Sequence, residues 1–489
     1  MSDRRTAREL IELVLDDGSF RSWDRPIDIG AWPDDYRREL ERASERAGTD
    51  ESVLTGRGTV GGRAVAVIVS EFRFLGGSIG RASADRIVAA VRRATAEELP
   101  ILASTASGGT RMQEGTPAFV GMVEISRAIM QHKAASLPYL VHLRHPTTGG
   151  VFASWGSLGH LTVAEPGALI GFLGPKVYEV LNGERFPEGV QVAENLAAKG
   201  VIDGVVSAEG LPVLVERTLG LIVDAPAQPV LERRAETPRR QRDAWSSIAL
   251  TRRPDRIGMR DLLRHGTTDA VRLQGTYEGE NERTVLMVIA RVDGQPCVLV
   301  GQDRRAQESR PMGPGALREA RRAMKLAAEL GLPLVNVIDT PGAELSAAAE
   351  EGAMAGEIAR SIATLSTLAV PSVSVLLSQG CGGGALALLP ADRVVATESA
   401  WLAPLPPEGA SAIVYGDADH AEEMAQRQHV AATDLFDLGY VDVIVPEREE
   451  DLRGTASLAR AVAAEIAAQL RRLTADTAAD SPGAVLAPA

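Results

Sequence analysis

Cysteine is nearly missing from this chain: 489 residues contain two, Cys297 and Cys381, and neither belongs to a Cys-x-x-Cys pair. A zinc ribbon or a disulfide scaffold is therefore excluded, because both need cysteines in pairs, and no metal site is expected. Aromatic residues are also scarce, at 4%, so Ala, Val, Leu and Gly must fill whatever cores form. An excess of positive charge is lacking. The formal charge is −13, which argues against the clustered Lys/Arg face of a nucleic-acid binder. No apolar run is long enough for a membrane span. The N-terminus, MSDRRTARELIELVLDDGSF, is charged and carries no apolar signal segment. A soluble, cytoplasmic protein is expected, with no nucleic-acid or membrane partner.

What is present is 45% apolar residues and 48 glycines. That is enough for two or three domains with sizeable cores, and the glycines suggest tight turns or close backbone approaches. Residues 1 to about 50 look helical and polar, with an amphipathic start at Leu10, Ile11 and Val14. From Arg63 the texture changes. RAVAVIVSEF reads as a buried strand and IVAAVRRATAEELP as a helix ended by proline. ILAST reads as a strand, FVGMVEISRAIMQHKA as a helix and LPYLVHLRH as a third strand. Such alternation predicts βα units around a mostly parallel sheet.

The second half repeats the first. GGRAVAVIVSEF matches DGQPCVLVGQDR, ELPILAST matches LGLPLVNVID, SLPYLVHL matches AVPSVSVLL, and LAAKGVIDGVV matches LFDLGYVDVIV. The offset stays near about 235 residues, too large for a solenoid, so a whole domain is duplicated. Residues 1–225 and 258–476 are the expected domains. Residues 226–257, rich in Pro and Arg, read as a solvated linker, and 477–489 as a disordered tail.

Each half has two glycine-rich turns directly after strands. The first half has Ser107-Gly108-Gly109-Thr110-Arg111 and Thr148-Gly149-Gly150-Val151. The second has Asp339-Thr340-Pro341-Gly342-Ala343 and Gly380-Cys381-Gly382-Gly383-Gly384-Ala385. Without a Cβ in the way, backbone N–H groups at such a turn can face a cavity, and a following helix adds positive potential. This suits a carbonyl oxygen that becomes an enolate. A single glycine pair more often serves only close strand–helix packing, but recurrence at the equivalent place in both copies favours the anion-binding reading. No Gly-Lys-Ser/Thr follows any of these turns, and none of them fits the Gly-x-Gly-x-x-Gly fingerprint with a following helix and a downstream acid, which disfavours nucleotide hydrolysis and hydride transfer.

With these motifs in view, the chain resembles bacterial acetyl-CoA carboxylase carboxyltransferase, its first half the β subunit and its second half the α subunit. SGGTRMQEG, PTTGGVFASWGSLGHLTVAEPGALIGFLGP and GVIDGVV carry the resemblance in the first half. AWSSIALTRRPDR, MGPGALREARRAMKLA, VIDTPGA, GGGALAL and PLPPEGASAIV carry it in the second. The likeness spans roughly residues 50 to 450. It implies an α/β fold of two tandem crotonase-like (ClpP/crotonase superfamily) ββα-spiral domains. It also implies transfer of a carboxyl group from carboxybiotin, borne by a separate biotin carboxyl carrier protein, to an acyl-CoA such as acetyl-CoA, giving malonyl-CoA. Amides at Gly149 and Gly150 would hold the thioester oxygen, and those at Gly383, Gly384 and Ala385 the biotin ureido oxygen. Gly108, Gly109, Arg111, Gly342, Ala343 and Ala387 are the expected substrate-binding residues. Expected partners are a biotin carboxylase, the carrier and a second copy of the chain. In such a dimer the first half of one copy would face the second half of the other.

Two departures stand out. The β subunit's four-cysteine zinc ribbon is missing, and the tyrosine usual after VIDTPGA is replaced by Glu344, which leaves the acyl substrate open. Propionyl-CoA carboxylation, malonyl-thioester decarboxylation and a catalytically degenerate scaffold remain alternatives. Met324-Lys325 resembles a biotin attachment core but lies in a helical pattern. Lys176 could meet a CoA phosphate, although an exposed lysine is the simpler reading. His145 and His160, without visible partners, read as structural.

Overall fold

The computed structural model describes residues 5–234 and 242–480. They form two compact units: Met1–Val223 with Tyr277–Glu280, and Asp224–Thr276 with Asn281–Ala489. Each is built on an eight-stranded sheet, and the two sheets have the same strand order.

In the first unit the strands are β1 (Arg21–Ser22), β2 (Val53–Val60), β3 (Arg63–Ser70), β4 (Ile101–Ser107), β5 (Tyr139–Thr148), β6 (Leu161–Ala164), β7 (Ile170–Gly171) and β8 (Gly204–Val205). They run in the order β1-β2-β3-β4-β5-β6-β8, with β7 beside β5. The β1–β2 and β2–β3 pairs are antiparallel and the rest are parallel. The expected strands and helices are all present. IVAAVRRATA, the first ten residues of IVAAVRRATAEELP, lies in the helix Arg81–Ala96, and FVGMVEISRAIMQHKA in Gly115–Ala134. Crossover connections of this length are what parallel neighbours require. Ile87, Val91, Ile125 and Ile129 of these helices pack with Ile101, Ala103, Tyr139, Val141 and Leu143. At the N-terminus, Thr6 and Glu9 form a reciprocal cap on the helix Ala7–Val14, whose Leu10, Ile11 and Val14 are buried as the amphipathic pattern expects.

The second unit repeats this with β9 (Thr267–Leu273), β10 (Val285–Val292), β11 (Gln295–Gln302), β12 (Leu334–Thr340), β13 (Ser372–Cys381), β14 (Arg393–Thr397), β15 (Trp401–Ala403) and β16 (Val443–Val445). The order is β9-β10-β11-β12-β13-β14-β16, with β15 beside β13. Even the register repeats: Ile101 pairs with Tyr139, and Leu334 with Ser372. The cores differ, however. Here Val337, Val375 and Leu377 pack with Leu458, Val462 and Ile466 of the helix Ala456–Asp480. The matching face of the first sheet buries Ser104, His142 and Arg144.

The 226–257 segment is not a solvated linker. Asp293 Oδ1 accepts from the N–H of Val230 and of Leu231, each at 2.8 Å. Arg234 pairs with buried Asp451 at 2.6 Å, and Arg256 with buried Glu447 at 2.8 Å. The stretch Ala244–Thr251 is a helix capped by Asp243, with Ile248 enclosed. Arginines that suggest solvation in sequence therefore find carboxylates far along the chain. Residues 235–241 lie outside the described residues. The tail needs a similar correction: the last helix runs to Asp480, and 481–489 lie outside the described residues.

Candidate active site

In the first unit, β3, β4 and β5 end at the same edge, the place where open parallel sheets build binding sites. Both expected glycine turns are there and they touch. Gly109 has φ +106°, which strains any other residue, and a Cβ there would be in van der Waals contact with the second turn, 3.4 Å from Thr148 O and 3.5 Å from Gly150 N. Ser107 Oγ accepts from Gly109 N–H at 3.0 Å and fixes the turn. A third glycine turn, absent from the sequence reading, joins them. After β3, Leu75, Gly76 and Gly77 all have positive φ. Gly108 N–H donates to Gly76 O at 2.9 Å, and Ile79 N–H to Gly109 O at 2.9 Å.

The amides of the β5 turn divide cleanly. Gly149 (φ +63°) gives its N–H to the carbonyls of Gly171 (3.1 Å) and Phe172 (3.0 Å). The N–H groups of Gly150 and Val151 have no acceptor among the described residues. Ser154 Oγ donates to Gly150 O at 2.5 Å and holds that carbonyl away. Two adjacent unpaired amides are a preformed anion site.

The second unit builds the counterpart. Thr340 Oγ1 accepts from Gly342 N–H at 3.1 Å, as Ser107 does for Gly109, and Gly342 has φ +136°. The β13 turn opens with Gly382 (φ +65°) and becomes the short helix Gly382–Leu386, whose N-cap Cys381 makes no side-chain cap. The first-turn N–H groups of Gly382, Gly383 and Gly384 have no intrahelical acceptor. The helical pattern gives the Ala385 N–H to the Cys381 carbonyl, so Ala385 closes the turn while Gly383 and Gly384 present donors. A Cβ on Gly384 would lie 2.5 Å from Met312 Cε and 3.5 Å from Ala343 N, so the β12 and β13 turns are also in contact.

Other expected residues fall into place unequally. Ala387 is enclosed among Val285, Met312 and Ala316, with Ala343 packed against that cluster. Glu344 hydrogen-bonds by its N–H to Met312 O at 2.9 Å, and its carboxylate accepts from Ser346 Oγ at 2.7 Å. Arg111 is not a substrate contact: it is buried, and its guanidinium is committed to Glu51, Glu114, Ser52 and Ser78. His145 Nδ1 accepts from Leu169 N–H, and His160 Nδ1 from Tyr139 N–H, each at 3.0 Å, both holding backbone. Lys325 lies on the helix Pro314–Leu330, 3.8 Å from Glu329. The Lys176 side chain lies outside what is described. Burial pushes the Cys381 thiol up to about 11, which keeps it a neutral thiol. No group of three or more potential metal ligands occurs among the described residues, and no described helix is long and apolar enough to cross a membrane.

Two α/β halves with glycine turns at matching strand ends agree with what comparison with known proteins finds. Residues 2–481 match the carboxyl transferase domain. The chain belongs to the carboxyl transferase family. It is 57% identical over 478 residues to a Mycobacterium tuberculosis protein named as a probable biotin-dependent acyl-coenzyme A carboxylase beta3 subunit, covering 96% of each chain. It is 35% identical over 483 residues to the acetyl-coenzyme A carboxylase carboxyl transferase subunits beta/alpha of Saccharopolyspora erythraea, covering 96% of this chain and 84% of that one. Among solved structures, a transcarboxylase 12S with methylmalonyl-coenzyme A bound superposes with a TM-score of 0.77 at 21% identity, covering 99% of this chain and 92% of that one. A single-chain, multi-domain long-chain acyl-CoA carboxylase gives 0.72 at 19% identity, covering 96% of this carboxyl transferase and 46% of that chain. At such identities the structural likeness speaks for the fold alone.

Proposed function

We propose that this carboxyl transferase is the carboxyltransferase component of a biotin-dependent acyl-CoA carboxylase, with acetyl-CoA, giving malonyl-CoA, as the first substrate to test. The observation that carries the proposal is the matched pair of glycine turns, one per unit, each presenting adjacent backbone N–H groups with no partner of their own. Biotin on a separate carrier supplies the activated carboxylate and, once that has left, a basic ureido group. The chain's part is to stabilise negative charge on two oxygens. Gly150 and Val151 N–H take the thioester oxygen as the α-proton leaves, and Gly383 and Gly384 N–H take the ureido oxygen. Neither role needs a catalytic side chain, because preorganised dipoles alone lower the barrier. Glycine at 384 lets Met312 Cε and Ala343 pack directly against the turn that carries these donors. Gly108, Gly109, Gly342 and Ala343 support the turns, and Ala387 is a small side chain in the buried cluster beside the β13 turn.

Large exposed apolar residues on each unit support assembly of copies of the chain. Phe172 and Val180 on the first are 70% and 83% exposed, and Leu345 and Ile413 on the second are 94% and 73%. A biotin carboxylase and a biotin carboxyl carrier protein complete the proposed complex.

The test is transfer of labelled carboxylate from malonyl-CoA or methylmalonyl-CoA to free biotin or biocytin by the purified chain. Transfer supports the proposal, and the ratio of kcat/KM for the two donors ranks acetyl against propionyl substrates. Biotin-independent conversion of malonyl-CoA to acetyl-CoA would favour a decarboxylase. A folded chain inert with every short acyl-CoA, even with carrier protein added, would favour a scaffold.

A further inference from the structure

Three consecutive glycines make a loose helix start, yet an anion hole has to be rigid before the charge arrives. One buried side chain in the second unit meets that need. Gln302, the last residue of β11, is completely buried. Its Oε1 accepts from Asp339 N–H at 2.9 Å, and its Nε2 donates to Gly384 O at 2.8 Å. The two bonds fix which end of the amide is which, because a backbone N–H needs an acceptor and a carbonyl needs a donor. Asp339 leads into the Thr340-Pro341-Gly342 turn, and Gly384 sits in the β13 turn, so one amide spans both. Gly384 O has no competing helical partner: the Leu388 N–H goes to Ala385 O instead. Gln307 reinforces the β12 side, donating to Asp339 O at 3.0 Å and accepting from Thr340 Oγ1 at 2.6 Å.

We infer that Gln302 is a positioning residue for the second anion hole. It holds the Gly384 carbonyl inward and keeps the β12 and β13 turns in register, and so aims the Gly383 and Gly384 N–H groups at the reacting oxygen. The inference rests on the proposed role of those two amides. The first unit reaches the same end differently, with Ser154 inside its own turn holding Gly150 O.

Gln302→Met keeps the volume and removes both bonds. Gln302→Glu keeps an acceptor for Asp339 N–H and, when ionised, has no donor for Gly384 O. Asn336→Leu, which removes a buried amide of the same sheet away from the turns, is the control for general destabilisation. Both Gln302 variants are expected to lower kcat for carboxylate transfer to biocytin by ~10- to 100-fold, the scale of a small misplacement of catalytic groups. KM for the acyl-CoA should stay within about twofold, since a misaimed donor acts on the transition state. Asn336→Leu should keep wild-type kcat. Wild-type kcat in a folded Gln302→Met, or in a folded Gln302→Glu assayed at a pH where the new carboxyl is ionised, would overturn the inference. If the wild-type chain proves inert, the proposed function has failed separately. Amide hydrogen exchange across residues 380–388 then decides: faster exchange in Gln302→Glu supports the clamp, and unchanged exchange overturns it.

Discussion

Arg111 and Glu51 form a two-point ion pair almost sealed from water: Nη1 donates to Oε2 at 3.0 Å and Nη2 to Oε1, with the side chains 1% and 2% exposed. Burial pulls the arginine's pKa down, but the Glu51 bonds and charge more than reverse this and hold the guanidinium charged. Glu114 joins at 3.2 Å and itself accepts from Tyr36 OH and Arg81 N–H, each at 2.6 Å. The loop after β4 is thereby tied to β2 and to the N-terminal helices. Arg111→Ala leaves two buried carboxylates without their cation and is expected to cost about 3–5 kcal/mol, seen as a lower urea midpoint. A raised acyl-CoA KM with an unchanged midpoint would restore Arg111 as a substrate contact.

Gly76 and Gly77 share nearly the same backbone angle, φ +65° and +64°, yet face different surroundings. A Cβ on Gly76 meets nothing within 4 Å, whereas one on Gly77 would lie 2.0 Å from Ala106 O. Gly76→Ala should cost only the left-handed penalty, roughly 1–2 kcal/mol. Gly77→Ala must also displace the end of β4, so it should cost clearly more and disturb the Gly108–Gly109 turn that β4 carries. Denaturation midpoints and transfer rates of the two variants check this. Equal losses would mean that the third turn is not wedged against the site.

Ser104 and His142 occupy, in the first sheet, the paired register positions that Val337 and Val375 fill in the second. Ser104 Oγ meets His142 Nδ1 at 3.1 Å, while Nε2 is buried without a partner. Burial, helped by Arg144, pushes the imidazole down to about 3. The native state thus binds fewer protons than the unfolded chain below the ordinary value of 6.5, and stability is lost as pH falls from there toward 3. Ser104→Val with His142→Val copies the second unit and should change stability by no more than about 1 kcal/mol at neutral pH. Between pH 6.5 and 4 the double variant should lose less stability than the wild type, by at most about 1.4 kcal/mol per pH unit. Parallel stability–pH profiles would show that His142 takes up its proton in the native state as it does in the unfolded chain.

Much of this architecture was legible because it is local and repeated. Apolar runs such as RAVAVIVSEF and glycine pairs directly after strands are signals within a few residues, and duplication supplies each one twice. The Leu75-Gly76-Gly77 turn carries the same signal, whereas Val151, a donor that is not a glycine, carries none. What stayed hidden depends on partners distant in sequence. Arg234 reads as linker until Asp451 is seen beside it, and Arg111 reads as a ligand contact until Glu51 encloses it. Gln302 is one polar residue at a strand end, and nothing nearby in the chain announces the Gly384 carbonyl it holds. The short strands β7 and β15 have too few residues for any periodicity, yet β7 ends at the Gly171 carbonyl that takes up Gly149 N–H.

The proposed anion holes make a sharper demand than loss of activity, because adding volume and removing a hydrogen bond can be separated at one position. Gly384→Ala retains the N–H, and its Cβ meets Met312 Cε, the far end of a flexible side chain. Gly384→Pro adds bulk of the same kind and deletes the donor, at a first-turn helical position where proline is tolerated. In the first unit, Gly150→Ala places a Cβ 3.1 Å from Thr110 Oγ1, and Gly150→Pro again removes an N–H. Each proline variant should lower kcat by ~10²- to 10³-fold, the loss expected for one oxyanion donor, while each alanine variant falls far less. If alanine and proline are equally damaging in transfer to biocytin, space beside the turn matters and the amide does not. If neither is damaging, the charge is stabilised elsewhere. A loss confined to Gly384→Pro would assign one functional hole to the second unit and leave the first glycine turn to packing.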